Sequence, residues 1–183
     1  MKWKRMMAVA AMLAAVLALA ACGGQENNQP QETAQQQALF DVTQFIGVDE
    51  AGLAAIMGEP DDLYVNEENE KEYIYTGIPY TYNGEQDIFS KLLFVFIMLE
   101  DGTYKLNQMN IEVYDVLSDE KPFLLPMDTD MLALFGIKPT NIEINEKAPR
   151  EYLNPVEGIR FFNTTMKEVS DGAGAFKFVT VGY

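Results

Sequence analysis

Few of the residue types that take part in catalysis or metal binding occur in this chain. Among its 183 residues there is no histidine, and the single cysteine, Cys22, lies near the N-terminus. Nucleophilic mechanisms of the Ser-His or Cys-His type need an imidazole base, and zinc sites with nitrogen and sulfur ligands need histidine or cysteine. Beyond Cys22, the sequence therefore leaves only carboxylate, lysine, tyrosine, serine and threonine chemistry.

Carboxylates are abundant, but their spacing predicts no site. Of the 28 acidic residues, two runs, Asp61-Asp62 and Glu67-Glu68-Asn69-Glu70, could offer oxygen ligands to a hard cation such as Ca²⁺. Neither run has the spaced D-x-D-x-D-G pattern of a calcium loop, so solvated loops are expected. With this many acids, a carboxylate pair at the separation used in glycoside hydrolysis would arise by chance. We therefore predict no metal, no cofactor and no enzymatic activity.

Four tyrosines form the pattern that most favours a binding surface. Tyr73 and Tyr75 alternate along one predicted strand, and Tyr80 and Tyr82 alternate along the next. Alternate residues of a strand point to the same face. If the two strands pair, the four phenol rings would form a partner-binding patch, because tyrosine offers a large contact area at low entropic cost. The alternative is that tyrosine serves as a good strand former on a half-covered sheet.

The N-terminus has the pattern of a secretion signal followed by a membrane-attachment site. A basic head at residues 2–5 precedes 16 uncharged residues, Met6 to Ala21, which end in Leu19-Ala20-Ala21-Cys22. The uncharged run is short for a bilayer span and fits the apolar core of a secretory signal. The whole segment resembles the bacterial lipoprotein signal. That resemblance implies cleavage of a signal peptide, residues 1–21, and lipidation of Cys22 with palmitate-type acyl chains. An uncleaved transmembrane anchor is the alternative.

Composition and charge limit the partners. The chain has 13 basic residues and a formal net charge of −15. Nucleic acid is excluded as a partner, because phosphate binding needs clustered Lys and Arg. Anionic headgroups should repel so acidic a chain. We therefore expect contact with the membrane through the N-terminal lipid only, and an extracytoplasmic protein anchored to the cell membrane.

The signal is followed by a tether and then by one domain. Residues 23–37 read GGQENNQPQETAQQQ and contain no aliphatic or aromatic side chain larger than that of Ala. Such a segment has nothing to bury, so residues 22–38 are predicted to form a disordered, Gln- and Asn-rich tether behind the lipidated Cys22. Residues 39–183 are predicted to form a single globular domain.

Helical periodicity is confined to two short segments of this domain. One runs from Asp49 to Gly58 and the other from Asp128 to Gly136; each begins with carboxylates, and each ends at a glycine with a proline nearby. Most of the remainder has the composition of strands. The predicted fold class is α+β, an antiparallel sheet with two short helices.

Three details of the predicted strands bear on the sheet. The run Leu92 to Leu99 is apolar throughout, which is typical of a central strand covered on both faces. The dipeptide Asp101-Gly102 after it predicts a hairpin turn. A slip in the apolar phase between Leu106 and Met109 predicts a β-bulge in the next strand.

The two helical segments look like copies of one unit. Gly52–Gly58 aligns with Asp130–Gly136 at an offset of 78, and Lys71–Ile74 aligns with Arg150–Leu153 at an offset of 79. This spacing suggests a tandem duplication with repeats 45–115 and 123–183. Chance is the alternative, because a helix followed by Gly, Pro and a strand is a common local order.

The doubled order of a helix, Gly, Pro and strands on a lipid-anchored chain resembles the small bacterial lipoproteins of the SmpA/OmlA type. It also resembles the β-lactamase-inhibitor protein fold, in which two such units stand in tandem. The resemblance implies an architecture and a binding role, and it transfers no individual functional residue.

The function predicted from these features is non-enzymatic binding of another protein at the cell envelope. The alternative is a lipoprotein that binds a small ligand or a glycan as an accessory to uptake or wall metabolism. A deep pocket lined by aromatic side chains would favour the alternative, whereas a broad exposed surface would favour a protein partner.

Overall fold

The computed structural model describes residues 38–113, 123–145, 150–170 and 172–183. The predicted signal peptide, the predicted lipidation site Cys22 and nearly all of the predicted tether lie outside the described residues. The strands are β1 Asp62–Val65, β2 Lys71–Tyr75, β3 Ile78–Tyr82, β4 Glu85–Phe89, β5 Lys91–Met98, β6 Tyr104–Glu112, β7 Phe123–Pro126, β8 Glu143–Ile144, β9 Glu151–Val156, β10 Ile159–Ser170 and β11 Ala173–Gly182. The helices are a 3₁₀ turn Val42–Phe45, α1 Glu50–Met57 and α2 Met131–Leu134.

Antiparallel pairing joins nine strands into one sheet. Eight of them lie in the order β1-β2-β5-β6-β11-β10-β9-β8, and β7 pairs with the part of β11 that extends beyond β6. β3 and β4 form a separate hairpin. β1 and β8 are therefore the two edge strands of this path, and β6 and β11 pair at its centre.

The predicted fold class, α+β, is wrong, because the described chain is a sheet-dominated fold with 53% strand and 12% helix. Both helices begin where their carboxylates predict: Asp49 accepts from the Gly52 amide at 2.7 Å and Asp130 accepts from the Ala133 amide at 3.0 Å. They stop after only 8 and 4 residues. Gly58 and Gly136 have φ of 80° and 76°, a conformation that ends a helix. So little helix cannot form a layer equal to a sheet with strands of up to 12 residues.

The two halves of the sheet contain the same order of elements. Helix α1 precedes β1, β2, β5 and β6, and helix α2 precedes β8, β9, β10 and β11. At the outer edges, Leu63 pairs with Tyr73, and Ile144 pairs with Tyr152. The sequence offset of 79 would instead place Ile142 opposite Tyr152, so the second edge strand is displaced by two residues relative to the first. Duplication itself stays a prediction.

A continuous chain of aromatic rings fills the core between the sheet and the elements that cover one of its faces. Neighbouring ring centroids lie 4.5 to 6.3 Å apart, which is the range of favourable ring contacts. In order, the rings are Tyr75, Phe94, Phe45, Phe40, Phe89, Tyr80, Phe123, Phe176, Phe135, Phe162 and Tyr152. This series of ring contacts begins in the first half of the sheet and ends in the second, so the two halves share one core.

The start of the described chain is fastened to the helix side of the sheet. The Leu39 amide donates to the Leu134 carbonyl at 2.7 Å, and the Val42 amide donates to the Phe135 carbonyl at 3.2 Å. The Tyr183 hydroxyl donates to the Val42 carbonyl at 3.0 Å, and burial raises the pKa of Tyr183 above its ordinary value. The chain therefore enters the domain beside α2, on the covered face of the sheet.

Helix α1 is fastened to β2 through one carboxylate. Glu50 accepts a hydrogen bond from the Tyr73 hydroxyl and pairs with the Lys71 ammonium at 2.7 Å. That ammonium also lies 3.8 Å from the centre of the Tyr104 ring, a cation–π contact. Burial, the Glu50 hydrogen bond and the Glu50 charge raise the pKa of Tyr73, so its hydroxyl stays a donor.

Replacing this carboxylate should flatten the pH dependence of stability. Burial alone would raise the pKa of Glu50, but hydrogen bonds from Lys71 and Tyr73, together with the Lys71 charge, lower it below its ordinary value of 4.5. A lowered folded-state pKa gives stabilisation that is present above the unfolded-state pKa and is lost as the pH falls through the folded value. We expect Glu50→Gln to lose less stability than the wild type between about pH 6 and pH 3, measured by urea midpoints. Parallel pH profiles would contradict this.

Candidate protein-binding face

The four tyrosines predicted to form a binding patch do not share a surface. β2, which carries Tyr73 and Tyr75, pairs with β1 and β5, whereas β3, which carries Tyr80 and Tyr82, pairs with β4 in the separate hairpin. Tyr75 and Tyr80 are 3% and 5% exposed. Tyr73 and Tyr82 are partly buried against the same core. The predicted open patch is therefore wrong, because these rings point towards the covered side and pack against Phe94, Phe96, Phe89 and Phe123.

The acidic runs serve as turn and strand-end polar groups. Asp61 accepts from the Thr76 amide at 2.7 Å and from the Thr76 hydroxyl at 2.8 Å, and these bonds lower the pKa of Asp61. Asn66 accepts from the Glu68 and Glu70 amides, both at 2.9 Å. Among the residues that the structure describes, no cluster of three or more potential metal ligands occurs.

The face of the main sheet that points away from the helices is uncovered in the described part of the chain. We call it the open face. Strand pairing places one residue from each of eight strands in a row across it, because directly opposed residues share a face. That row is Tyr64, Glu72, Val95, Gln108, Gly182, Phe161, Leu153 and Glu143.

A second and a third row lie beside the first on the same face. The second is Asp62, Ile74, Leu93, Asn110, Thr180, Asn163 and Glu151. The third is Lys91, Glu112, Phe178 and Thr165. The open face thus combines apolar side chains in each half of the sheet, uncharged polar side chains across its middle strands and carboxylates towards its ends.

Side-chain contacts confirm that these rows share a surface. The Gln108 amide donates to Asn110 Oδ1 at 3.1 Å, which joins the first row to the second. The Asn163 amide donates to Glu151 at 3.5 Å within the second row. The ring of Phe161 lies across Gly182, where even a Cβ atom would overlap it. Glycine at 182 therefore lets an aromatic ring lie close against the middle of the sheet.

The open face exposes apolar side chains that a fully covered sheet would bury. Phe178, on the central strand β11, is 43% exposed, and Tyr64 is 54% exposed. Leu93, Val95 and Ile97 alternate with the fully buried Leu92, Phe94 and Phe96 and are only half-buried. The prediction that β5 is covered on both faces is therefore wrong. Helices cover one face only, so the second set of apolar residues faces outward.

Five carboxylates on the open face outnumber its three ammonium groups. The carboxylates belong to Asp62, Glu72, Glu112, Glu143 and Glu151. The ammonium groups belong to Lys91, to Lys105 opposite Ile97, and to Lys167 opposite Ala175. Lys91 pairs with Glu112 at 3.2 Å. None of the other four carboxylates forms an ion pair within the described residues. A hydrogen bond to Asp62 and the Asp62 charge raise the pKa of Tyr64. The face is acidic, and most of that charge is not neutralised locally.

Two shallow pockets occur on the described part of the domain. One, of about 380 Å³, is lined by residues that include Lys105, Asn154, Arg160 and Tyr183. The other, of about 350 Å³, lies beside the start of α1 and is lined by Asp49, Glu50, Ala51, Gly102, Thr103 and Tyr104. Each contains a single aromatic side chain, so neither is the aromatic-lined pocket that a small-ligand or glycan site would favour.

No family model, curated protein or solved structure matches the chain. Neither helix of the described residues has the length and apolar character needed to cross a membrane. What the domain can do must therefore follow from the composition and geometry of its own surface.

Proposed function

We propose that this chain is a lipid-anchored extracytoplasmic lipoprotein that binds another protein at the cell envelope through the open face and performs no catalysis. The observation that supports this most strongly is the uncovered apolar set on β5, Leu93, Val95 and Ile97, together with the exposed Phe178. Contiguous apolar surface rimmed by polar residues is characteristic of interaction sites. Aromatic side chains at the centre of such a surface supply most of the binding energy in protein interfaces.

The shape of the surface favours a protein over a small ligand. The first row crosses eight strands, and neighbouring strands lie about 4.8 Å apart, so the face spans roughly 34 Å. A surface of this width matches the size of a protein contact rather than a sugar or a metabolite. Asn110, Thr180 and Asn163 in its centre offer donors and acceptors that can orient a partner.

The attachment point of the tether is compatible with this arrangement. Leu39 bonds to α2 on the helix side of the sheet, so the chain enters on the side opposite the open face. Residues 23–38 separate Cys22 from this point. The described start of the chain therefore leaves the open face uncovered.

Lipidation of Cys22 is tested by metabolic labelling. We expect a clickable palmitate analogue to label the wild-type chain and not Cys22→Ser, and we expect the variant to leave the membrane fraction. One acyl chain binds membranes only reversibly, so retention depends on the multiply acylated form. Label in the variant would contradict lipidation at this residue, and an unlabelled wild type that stays in the membrane would indicate an uncleaved span.

The binding surface is tested by photocrosslinking in the envelope of the source cells. We expect p-benzoylphenylalanine in place of Phe178 to form a discrete adduct with another protein. The control places the same group at Ile56 on α1, which is 40% exposed against 43% for Phe178, but lies on the helix side. Adducts at both positions would mean non-specific contact. No protein adduct at 178 would contradict the proposed function and favour the small-ligand or glycan alternative.

A further inference from the structure

We propose that the partner presents a basic surface to the open face, with Lys or Arg side chains on both sides of an apolar ridge. This inference rests on the proposed function and specifies the chemistry of the partner. It follows from how the unneutralised carboxylates are arranged on the face, and not from the net charge of the chain alone.

The carboxylates flank the apolar and amide centre from both ends of the sheet. In the first half, Asp62 and Glu72 lie on β1 and β2, beside Ile74 and Leu93. In the second half, Glu143 and Glu151 lie on β8 and β9, and Glu143 is directly opposite Leu153. Each apolar patch therefore has an acidic border on its outer side.

The spacing of the two borders sets the size of the partner surface. Glu72 on β2 and Glu151 on β9 are separated by five strand intervals, which is about 24 Å at the usual strand spacing. A small molecule cannot contact both borders at once. A protein surface can do so, with two groups of basic side chains roughly 24 Å apart and an apolar ridge that meets Val95, Phe161 and Phe178 between them.

The same charges disfavour a second copy of this chain as the occupant. Two open faces in contact would bring together five carboxylates and only three ammonium groups from each copy. Like charges brought together at an interface reduce its affinity, whereas opposite charges raise the association rate and select the partner. The Glu72 carboxylate has no hydrogen-bond or ion-pair partner among the described residues, so its charge is available to an incoming cation.

The test reverses the charge of one residue in each acidic border and repeats the photocrosslinking experiment. The full-length chain carries p-benzoylphenylalanine in place of Phe178, combined with Glu72→Lys and Glu151→Lys. The control combines it with Glu59→Lys and Glu100→Lys, two exposed residues outside the rows of the open face. Both pairs change the net charge equally. We expect the open-face pair to reduce the adduct by about tenfold, the control pair to leave it nearly unchanged, and added salt to weaken it in the wild-type background.

The outcomes separate this inference from the function beneath it. An adduct that forms normally when Glu72→Lys and Glu151→Lys are combined, and that does not weaken with salt, would overturn the basic partner while leaving protein binding intact. No adduct with the wild-type borders would overturn both. An equal loss in the two double variants would show that net charge, and not the borders, governs binding. Circular dichroism of each variant, together with the neutral pair Glu72→Gln and Glu151→Gln, distinguishes lost charge from lost fold.

Discussion

Phe176→Ala lowers the free energy of unfolding by about 3 to 5 kcal/mol, the usual range for deleting a fully buried aromatic ring. Phe176 is 0% exposed, and its ring lies 6.2 Å from that of Phe123 and 5.9 Å from that of Phe135. It therefore occupies the middle of the ring chain that joins the two halves of the core. Removing it leaves a cavity at the point where the halves meet, so we expect a single, cooperative loss of stability.

Phe178→Ala is the matched control, two residues further along the same strand. Its side chain points to the open face, because a β-bulge leaves Lys177 without an opposite residue and reverses the alternation between Phe176 and Phe178. Its removal should therefore cost about 1 kcal/mol or less. Urea unfolding followed by far-UV circular dichroism measures both variants, because the only tryptophan, Trp3, lies in the predicted signal peptide. For binding, the order should reverse, with Phe178→Ala weakening adduct formation from a neighbouring open-face position. Equal losses of stability in the two variants would contradict the assignment of the two faces.

Local features of the chain could be predicted from local chemistry. The hairpin turn at Asp101-Gly102 is confirmed: Gly102 has φ of 82°, and the Leu99 amide donates to the Thr103 carbonyl at 2.8 Å. The β-bulge is confirmed as well, because Val95 pairs with Gln108 while Phe96 pairs with Leu106, which leaves Asn107 unmatched. The turn and the bulge both depend on residues that are close in the sequence, so the local sequence pattern is enough to predict them.

The side of the sheet that each pattern faces could not be predicted, because it depends on distant elements. The alternation of Tyr73 with Tyr75 specifies a shared face, but α1 and the 3₁₀ turn decide which face is covered. For β5, too, the sequence pattern does not specify how many faces of the strand are covered. Its unbroken apolar run matches two-sided burial, yet the chain has too little helix to cover a second face. An apolar strand in a chain with so little predicted helix was the available signal for an exposed surface.

Gly136 packs closely against Asp41, in the segment through which the chain enters the domain. This residue has φ of 76°, and a Cβ there would lie 2.6 Å from Asp41 Oδ1 and 3.1 Å from the Asp41 Cα. The Asp41 carboxylate also accepts from the Thr43 amide at 2.9 Å, which caps the 3₁₀ turn. A side chain at 136 therefore disturbs the backbone at the point where the N-terminal segment is fastened to α2.

Gly136→Ala should lower the free energy of unfolding by about 2 to 4 kcal/mol, the sum of the left-handed backbone penalty, the lost cap and the displaced segment. The control is Gly77→Ala, whose φ of 63° is similar but whose Cβ would meet no atom within 4 Å, so it should cost only about 1 kcal/mol. Limited proteolysis near residues 38–48, alongside urea unfolding, measures whether the segment has detached. Equal destabilisation in the two variants would mean that contact with Asp41 contributes nothing. A larger loss at 136, with faster cleavage, would show that the anchor-proximal segment is held by packing against α2.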